Sequence, residues 1–155
     1  MLETGKMAPA FELPDADMSI VKSVDFRGKK HIVLYFYPKD DTPGCTMEAM
    51  EFSDLQSEFE ELDTVVLGVS RDNCMSHGNF RDKYGLTVRL LADVDANTCK
   101  DYGVWQEREK NGEKRMTTVR STFVIGKDGT LHHALYDIKP KGHAAAVLDM
   151  IRALP

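Results

Sequence analysis

The chain is poor in cysteine, with three in 155 residues, and it has no long apolar segment. An odd number of cysteines without a staple-like array excludes a disulfide scaffold and fits a reducing compartment. No segment approaches the roughly 20 apolar residues that span a bilayer, and the first residues lack the basic and apolar regions of a secretory signal. We therefore expect a cytoplasmic protein that does not associate with membranes.

The sequence also lacks a strong charge of one sign, internal repeats, low-complexity tracts and a long flexible linker. Its net charge is −5 with both signs interspersed, which argues against a nucleic-acid partner. The Cys74 and His77 pair has no second pair of ligands, so a zinc site is not expected. We predict one domain over residues 1–155, which is long enough to bury a core.

Two near-continuous apolar runs dominate the first half: HIVLYFY (31–37) and TVVLGVS (64–70). Both are too short for helices and rich in β-branched or aromatic residues, which is typical of strands buried on both faces of a parallel sheet. Between them, apolar residues in segment 46–62 recur at helical spacing, with acidic residues on the other face. The pattern predicts a strand–helix–strand unit.

The second half continues this alternation. We predict a helix capped by Asp72 and ended by Gly85, then a strand at 88–93 and a short helix within 96–105. A hairpin follows at 121–138, with Asp128 and Gly129 at its turn. A closing helix places four apolar residues on one stripe: Val147, Leu148, Ile151 and Leu154.

At the N-terminal end, residues 11–28 are compatible with a small hairpin and a single helical turn. The complete order of elements predicts an α/β, thioredoxin-like fold. It has a central mixed β-sheet flanked by helices, with an N-terminal β-hairpin extension.

Cys45 follows the carboxyl end of the first predicted strand and lies in the first turn of the next helix. Ligands bind at this edge of open α/β sheets, and the helix N-terminus supplies unpaired N–H groups and the positive end of its dipole. This setting stabilises a thiolate. Pro43 suits the start of the helix, and Gly44 lets the backbone approach whatever the sulfur attacks.

Three further residues complete a candidate site. On a helical wheel, Glu48 shares a stripe with Cys45 and points inward, where an unpaired carboxylate would be unfavourable. We expect Arg120, directly before the strand at 121, to supply the cation. The Thr42 hydroxyl can bond the thiolate or a substrate oxygen, so the site suits attack on an electrophile with an anionic leaving oxygen. Thr42 as a simple helix cap and Arg120 as a surface ion pair are the alternatives.

Pro38, Thr42 and Cys45 form the motif P-x-x-x-T-x-x-C, and here the sequence resembles the peroxiredoxins. The segments YFYPKDDTPGCTMEAMEF and VRSTFVIGKDG are similar to the bacterioferritin comigratory protein (PrxQ) subfamily. The resemblance extends over nearly the whole chain, including APAFELPD, VSRDNCMSHGNFRDKYGL and DYGVW.

The resemblance implies a thioredoxin fold and the reduction of hydrogen peroxide and organic hydroperoxides, with Cys45 as the peroxidatic cysteine. Thr42 and Arg120 would complete the site, Pro38 would shield the pocket and Glu48 would orient Arg120. Cys45 would attack the terminal peroxide oxygen and become a sulfenic acid, which thioredoxin or another thiol would recycle. The resemblance also implies a monomer that uses no metal and no other cofactor.

The sequence departs from the family pattern at Met50, where many PrxQ proteins carry a resolving cysteine five residues after the peroxidatic one. Methionine cannot form that disulfide, and the wheel places Met50 near the surface. Some relatives carry the resolving cysteine in the second helix, at the position that is Arg81 here. Cys74 lies seven residues before Arg81, and on the same sheet edge as Cys45 if the two strands are parallel.

Two cycles are therefore open. In one, Cys74 resolves the Cys45 sulfenic acid, which requires the two Cα atoms to come within about 7 Å and the first helix to unwind locally. In the other, an external thiol attacks the sulfenic acid. We expect Cys99 to be a small buried residue.

A non-enzymatic redox sensor or thiol-regulated binding module, using the same cysteine, is the alternative function. A cysteine hydrolase is disfavoured because it needs a general base near Cys45, whereas His31 begins the same strand and lies at its far end. The helix N-terminus and Arg120 can activate the thiol without a histidine, which favours peroxide chemistry over acyl chemistry.

Overall fold

The computed structural model describes residues 1–155. Its nine strands are β1 (Glu12–Pro14), β2 (Ile20–Lys22), β3 (His31–Phe36), β4 (Thr64–Ser70), β5 (Arg89–Ala92), β6 (Trp105–Lys110), β7 (Glu113–Thr118), β8 (Ser121–Ile125) and β9 (Leu131–Leu135). Its five α-helices are α1 (Pro43–Asp54), α2 (Gln56–Glu61), α3 (Cys74–Tyr84), α4 (Asn97–Asp101) and α5 (His143–Arg152), and a 3-10 turn covers Ser23–Phe26. None of the helices is both long and apolar enough to cross a bilayer.

A five-stranded mixed sheet forms the centre, in the order β5-β4-β3-β8-β9. The strands β3, β4 and β5 are parallel, while β8 is antiparallel to both β3 and β9. The strands β1 and β2 form a separate antiparallel hairpin. The thioredoxin-like outline and the N-terminal hairpin predicted from the sequence are confirmed.

The sheet is buried on both faces, as the apolar runs predict. Successive side chains of a strand point to opposite faces, so Val33 and Tyr35 join a core with α1, α2, α3 and α5. Ile32 and Leu34 join a second core, which α4 and the N-terminal hairpin cover. Side chains of β3 join the two cores along the length of the strand, so the strand is packed on both faces up to its carboxyl end.

The helix predicted over 46–62 is two helices, because the chain breaks at Leu55. Ser53 accounts for the break. Its carbonyl accepts a hydrogen bond from the Thr87 hydroxyl, and its own hydroxyl accepts from the backbone N–H groups of Thr87 and Val88. The end of α1 is thus hydrogen-bonded to the segment before β5, and the regular helix does not continue through Leu55.

The predicted cap of the next helix is also wrong by one residue. Asn73 caps α3, with its side-chain oxygen accepting from the N–H of Ser76 at 2.8 Å. Asp72 instead accepts from the Ser70 hydroxyl and from the backbone N–H of Asp40. The prediction that Gly85 ends this helix is confirmed, since Gly85 adopts the left-handed conformation with φ of 62°.

The sequence analysis missed one element, the hairpin of β6 and β7. It turns at Asn111 and Gly112, which both have positive φ and form the Asn-Gly pair typical of tight hairpins. Its strands are mostly exposed and carry charged residues in succession, so they lack the alternation of apolar and polar residues that marks a strand. The hairpin ends just before Arg120 and β8.

The predictions for residues 121–155 are confirmed. The strands β8 and β9 pair around the turn at Asp128 and Gly129. In α5, Val147, Leu148 and Ile151 are buried. Leu154, the fourth member of the stripe, is partly buried just beyond the helix.

The Asn73 cap gives a first testable prediction. We expect Asn73→Ala to lower the free energy of unfolding by about 1 kcal/mol, because it leaves the Ser76 N–H without its acceptor. Asn79→Ala makes the same chemical change at an exposed position in the middle of α3 and is the matched control. Urea denaturation followed by circular dichroism measures both. A loss of stability in Asn79→Ala equal to that in Asn73→Ala would contradict the assignment.

Candidate active site

Cys45 is the third residue of α1 and is only 2% exposed. Pro43 occupies the first helical position, where its missing N–H has no structural cost. The loop 37–42 leads from the end of β3 into this helix, so the thiol lies at the carboxyl edge of the sheet with the helix N-terminus around it. This is the position that the sequence predicts.

Arg120 reaches this thiol from a distant part of the sequence. Its Nη2 donates to Cys45 Sγ at 3.3 Å, and its Nη1 donates to Glu48 Oε1 at 2.8 Å. The antiparallel pairing of β3 and β8 places Ser121 opposite Phe36, so the residue before β8 comes to the end of β3. The expected cation is therefore supplied by Arg120.

Glu48 lies one turn after Cys45 and is fully buried, as the helical wheel predicts. One carboxylate oxygen accepts from Arg120, and the other has no hydrogen-bond partner. Burial raises the pKa of Glu48 to about 7, although the nearby Arg120 acts in the opposite direction. The ionised Glu48 carboxylate thus compensates the charge of Arg120, and it takes up a proton near pH 7.

Gly44 lies directly beside Arg120. A Cβ at this position would lie 3.1 Å from Arg120 Nη2 and 3.5 Å from Pro140 Cγ. The first distance is tighter than ordinary van der Waals contact, so a side chain here would require a small shift of the guanidinium. We expected the small size of Gly44 to serve the approach of a substrate, and in the structure the guanidinium also lies against this position.

Thr42 and Pro38 have less direct relations to the thiol. Thr42 is the N-cap residue of α1 but makes no side-chain capping bond. Its hydroxyl donates to the carbonyl of Lys39 at 2.9 Å and not to Cys45 Sγ. Pro38 is exposed, in the same loop. The expected hydrogen bond from Thr42 to the thiol is therefore not formed in this structure.

All three cysteines are free thiols. Cys74 is the first residue of α3 and is partly buried, at the same sheet edge as Cys45, because β3 and β4 are parallel. Cys99 is fully buried, as predicted.

Met50 is 43% exposed, which agrees with its predicted position near the surface. Arg81 points to exposed aspartates and forms no bond with the site.

A polar cluster next to the site was missed by the sequence analysis. Asp40, in the loop before α1, accepts hydrogen bonds from the Tyr37 and Ser76 hydroxyls and lies 2.7 Å from His77 Nδ1. The other ring nitrogen of His77 lies 2.9 Å from the carbonyl of Leu91. No local pattern signals this cluster, since its members come from three separate segments: the loop 37–42, α3 and β5. The histidine of the Cys74 and His77 pair is therefore engaged by protein groups, and no group of three potential metal ligands is present.

The geometry suits reaction of the Cys45 thiolate with a small electrophile. A cation contacts the sulfur, and the helix N-terminus faces it. The same cation can stabilise negative charge that develops on a leaving oxygen. His31 lies at the opposite end of β3, so no histidine of this strand can act as a base on Cys45.

The pKa of Glu48 predicts how stability depends on pH. Because the folded state holds the Glu48 proton up to about pH 7, against the ordinary value of 4.5, this residue makes the protein less stable as pH rises from about 4.5 to 7. Glu48→Gln removes this contribution. We expect the free energy of unfolding of the variant, relative to wild type, to increase over this range by an amount on the order of 1 to 3 kcal/mol. Urea denaturation at several pH values measures it, and a constant difference would contradict the prediction.

Comparison with known proteins identifies the family. The sequence model of the AhpC/TSA family matches residues 4–134. The chain is 44% identical over 150 residues to a putative peroxiredoxin bcp of Helicobacter pylori, covering 97% of this chain and 98% of the relative. It is 42% identical over 151 residues to peroxiredoxin Bcp of Bacillus subtilis, with coverage of 97% and 96%.

Solved structures agree with this assignment. The bacterioferritin comigratory protein of Xanthomonas campestris, whose alkyl peroxide reduction activity has been addressed by structures, matches with a TM-score of 0.90 and 34% identity over 97% of this chain and 98% of that one. A cysteine-to-serine variant of PrxQ from Xylella fastidiosa matches with a TM-score of 0.93 and 35% identity over 99% and 97%. The chain therefore belongs to the AhpC/TSA family and, within it, to the Bcp (PrxQ) peroxiredoxins.

Proposed function

We propose that this peroxiredoxin reduces hydrogen peroxide and organic hydroperoxides through Cys45. The observation that carries the proposal is the pair of hydrogen bonds from Arg120, one to Cys45 Sγ and one to Glu48 Oε1. The first holds a cation on the nucleophile. The second fixes the guanidinium, so that its orientation is set before a substrate enters.

In the proposed reaction, the Cys45 thiolate attacks the terminal oxygen of the peroxide. The S–O bond forms as the O–O bond breaks, and the leaving hydroxide or alkoxide takes a proton to become water or an alcohol. Arg120 stabilises the charge that develops on the leaving oxygen. Thr42 is proposed to turn its hydroxyl from the Lys39 carbonyl to the substrate, and Pro38 is proposed to shield the pocket.

The reaction partners of the family are a peroxide and a thiol reductant. For this chain we propose thioredoxin or another thiol as the reductant, and a monomer as the working unit. No metal or organic cofactor enters the proposed steps, because the sulfur supplies both electrons to the O–O bond.

The role of Arg120 is tested by Arg120→Lys. Lysine keeps the charge but cannot donate to Cys45 and Glu48 from one planar group. We expect the second-order rate constant for Cys45 oxidation by hydrogen peroxide to fall by about 100-fold, the lower range for the loss of one such donor. Stopped-flow fluorescence of the reduced protein measures this step. Cys45→Ser, which lacks the reacting thiol, gives the background signal.

Arg81→Lys is the matched control for this variant. Arg81 is on α3 and pairs with the exposed Asp17 and Asp82. The same chemical change there should leave the rate constant at the wild-type value. Equal rates in Arg120→Lys and wild type would overturn the role of Arg120, and peroxide turnover in Cys45→Ser would overturn the proposed function.

Two ways of closing the cycle are retained as proposals. Cys74 lies at the same sheet edge as Cys45, in the first turn of α3, and it is only partly buried. A disulfide between them would require α1 to unwind at its start, since Cys45 is buried in the core below Arg120. In the other cycle the reductant attacks the sulfenic acid of Cys45 directly.

Intact-mass analysis with peptide mapping separates these cycles. After one equivalent of hydrogen peroxide, Cys74→Ser should carry a trappable sulfenic acid at Cys45. Wild type should instead form a disulfide between Cys45 and Cys74 if Cys74 is the resolving cysteine. Accumulation of the same sulfenic acid in wild type would exclude Cys74 and leave the external thiol. Cys99→Ser, a change at a fully buried thiol, should give the wild-type products in either case.

A further inference from the structure

The polar cluster of Asp40, Tyr37, Ser76 and His77 has no part in the proposed reaction, although it adjoins the Cys45 loop. Its histidine is fully buried, and Asp40 is 7% exposed. Asp40 lies five residues before Cys45, and His77 lies in the first turn of α3. The cluster therefore connects the two segments that carry Cys45 and Cys74.

The partners of His77 define where its protons are. Nε2 lies 2.9 Å from the carbonyl oxygen of Leu91, which can only accept a hydrogen bond, so Nε2 carries a proton. Nδ1 lies 2.7 Å from Asp40 Oδ2. A neutral imidazole beside an ionised carboxylate would place two acceptors against each other at this distance. One additional proton must therefore lie between His77 and Asp40.

Two hydroxyls donate to the carboxylate oxygens of Asp40. The Tyr37 hydroxyl donates to Oδ1 at 2.6 Å, and the Ser76 hydroxyl donates to Oδ2 at 2.8 Å. Burial, followed by the neighbouring Asp40, raises the pKa of Tyr37 well above its usual value, so this phenol stays a donor. Asp40 is therefore held by two hydroxyls and by the His77 ring, whose other nitrogen is fixed by the Leu91 carbonyl.

The same contacts hold the loop before α1 against α3. The backbone N–H of Asp40 donates to Asp72 Oδ2 at 2.8 Å. The next residue, Asp41, has a positive φ of 57°, a conformation that non-glycine residues rarely adopt without support. Its carboxylate accepts from Lys83 at 2.7 Å and from the Tyr84 hydroxyl at 2.6 Å. Thr42 and the N-terminus of α1 follow immediately.

We propose that His77 is a positioning residue for Cys45: through its buried hydrogen bond with Asp40 it fixes the loop that sets the start of α1. This inference rests on the proposed peroxidase function of Cys45. The exposed pair of Asp41 and Lys83 holds the next residue of the loop but is screened by solvent, whereas the contact between Asp40 and His77 is buried.

The positioning role is measured by comparing two reagents on reduced Cys45. Hydrogen peroxide needs the assembled pocket and Arg120, whereas iodoacetamide needs only an accessible thiolate. In His77→Gln we expect the ratio of the two rate constants, peroxide to iodoacetamide, to fall at least tenfold. His133→Gln, the same change on β9 away from Cys45, should leave the ratio unchanged.

The rates are compared below the unfolding temperature of each variant, which circular dichroism gives. If His77→Gln does not fold, Asp40→Ala is used, since it removes the same contact from the side of the loop, and the same fall in the ratio is expected. An unchanged ratio in a folded variant would overturn the positioning role. Wild-type protein that fails to react with peroxide would instead overturn the proposed function, and with it the positioning role, whatever the ratio in the variants.

Discussion

The guanidinium of Arg120 is the contact on which the arrangement of this site depends. It is largely buried and bonds both the sulfur of Cys45 and the carboxylate of Glu48, which lie 75 and 72 residues away in the sequence. A buried cation is tolerated only when its charge is compensated, and Glu48 provides this one turn from the thiol. Removing either partner leaves an uncompensated charge in the core. Glycine at position 44 suits the same contact, because a Cβ there would lie only 3.1 Å from the guanidinium.

The sheet topology explains why these groups meet. Parallel strands end at the same edge, so the segments after β3 and β4 deliver Cys45 and Cys74 to one side of the molecule. The antiparallel β8 starts at that edge and brings Arg120 to it. The loop after β3 is then held to α3 by the side chains of Asp40 and Asp41. The thiol therefore sits on a helix start whose position is restrained from two sides, by a strand and by a neighbouring helix.

Much of the fold could be predicted because its signals are local. The apolar runs of β3 and β4, the glycine that ends α3 and the stripe of α5 each lie within a short stretch of sequence. The break at Leu55 could not be predicted, because its cause is a contact between Ser53 and Thr87 across 34 residues. The hairpin of β6 and β7 has a turn signal at Asn111 and Gly112. Its charged strands, however, lack the alternation of apolar and polar residues that would have supported the prediction. Asp72 does not cap α3 because its carboxylate accepts hydrogen bonds from Ser70 and Asp40, and Asn73 is the cap instead.

The sequence itself shows that position 50 carries methionine and not cysteine. Helical and strand periodicity, which neighbouring residues specify, determined the order of the core elements, the position of Cys45 at a helix start and the inward direction of Glu48. Only the tertiary structure decided that Arg120 occupies the space beside Gly44, that the Thr42 hydroxyl bonds the Lys39 carbonyl, and that Asp40 pairs with His77. Such contacts join segments that are brought together by sheet pairing and core packing. Their partners are therefore defined only once the whole chain has folded.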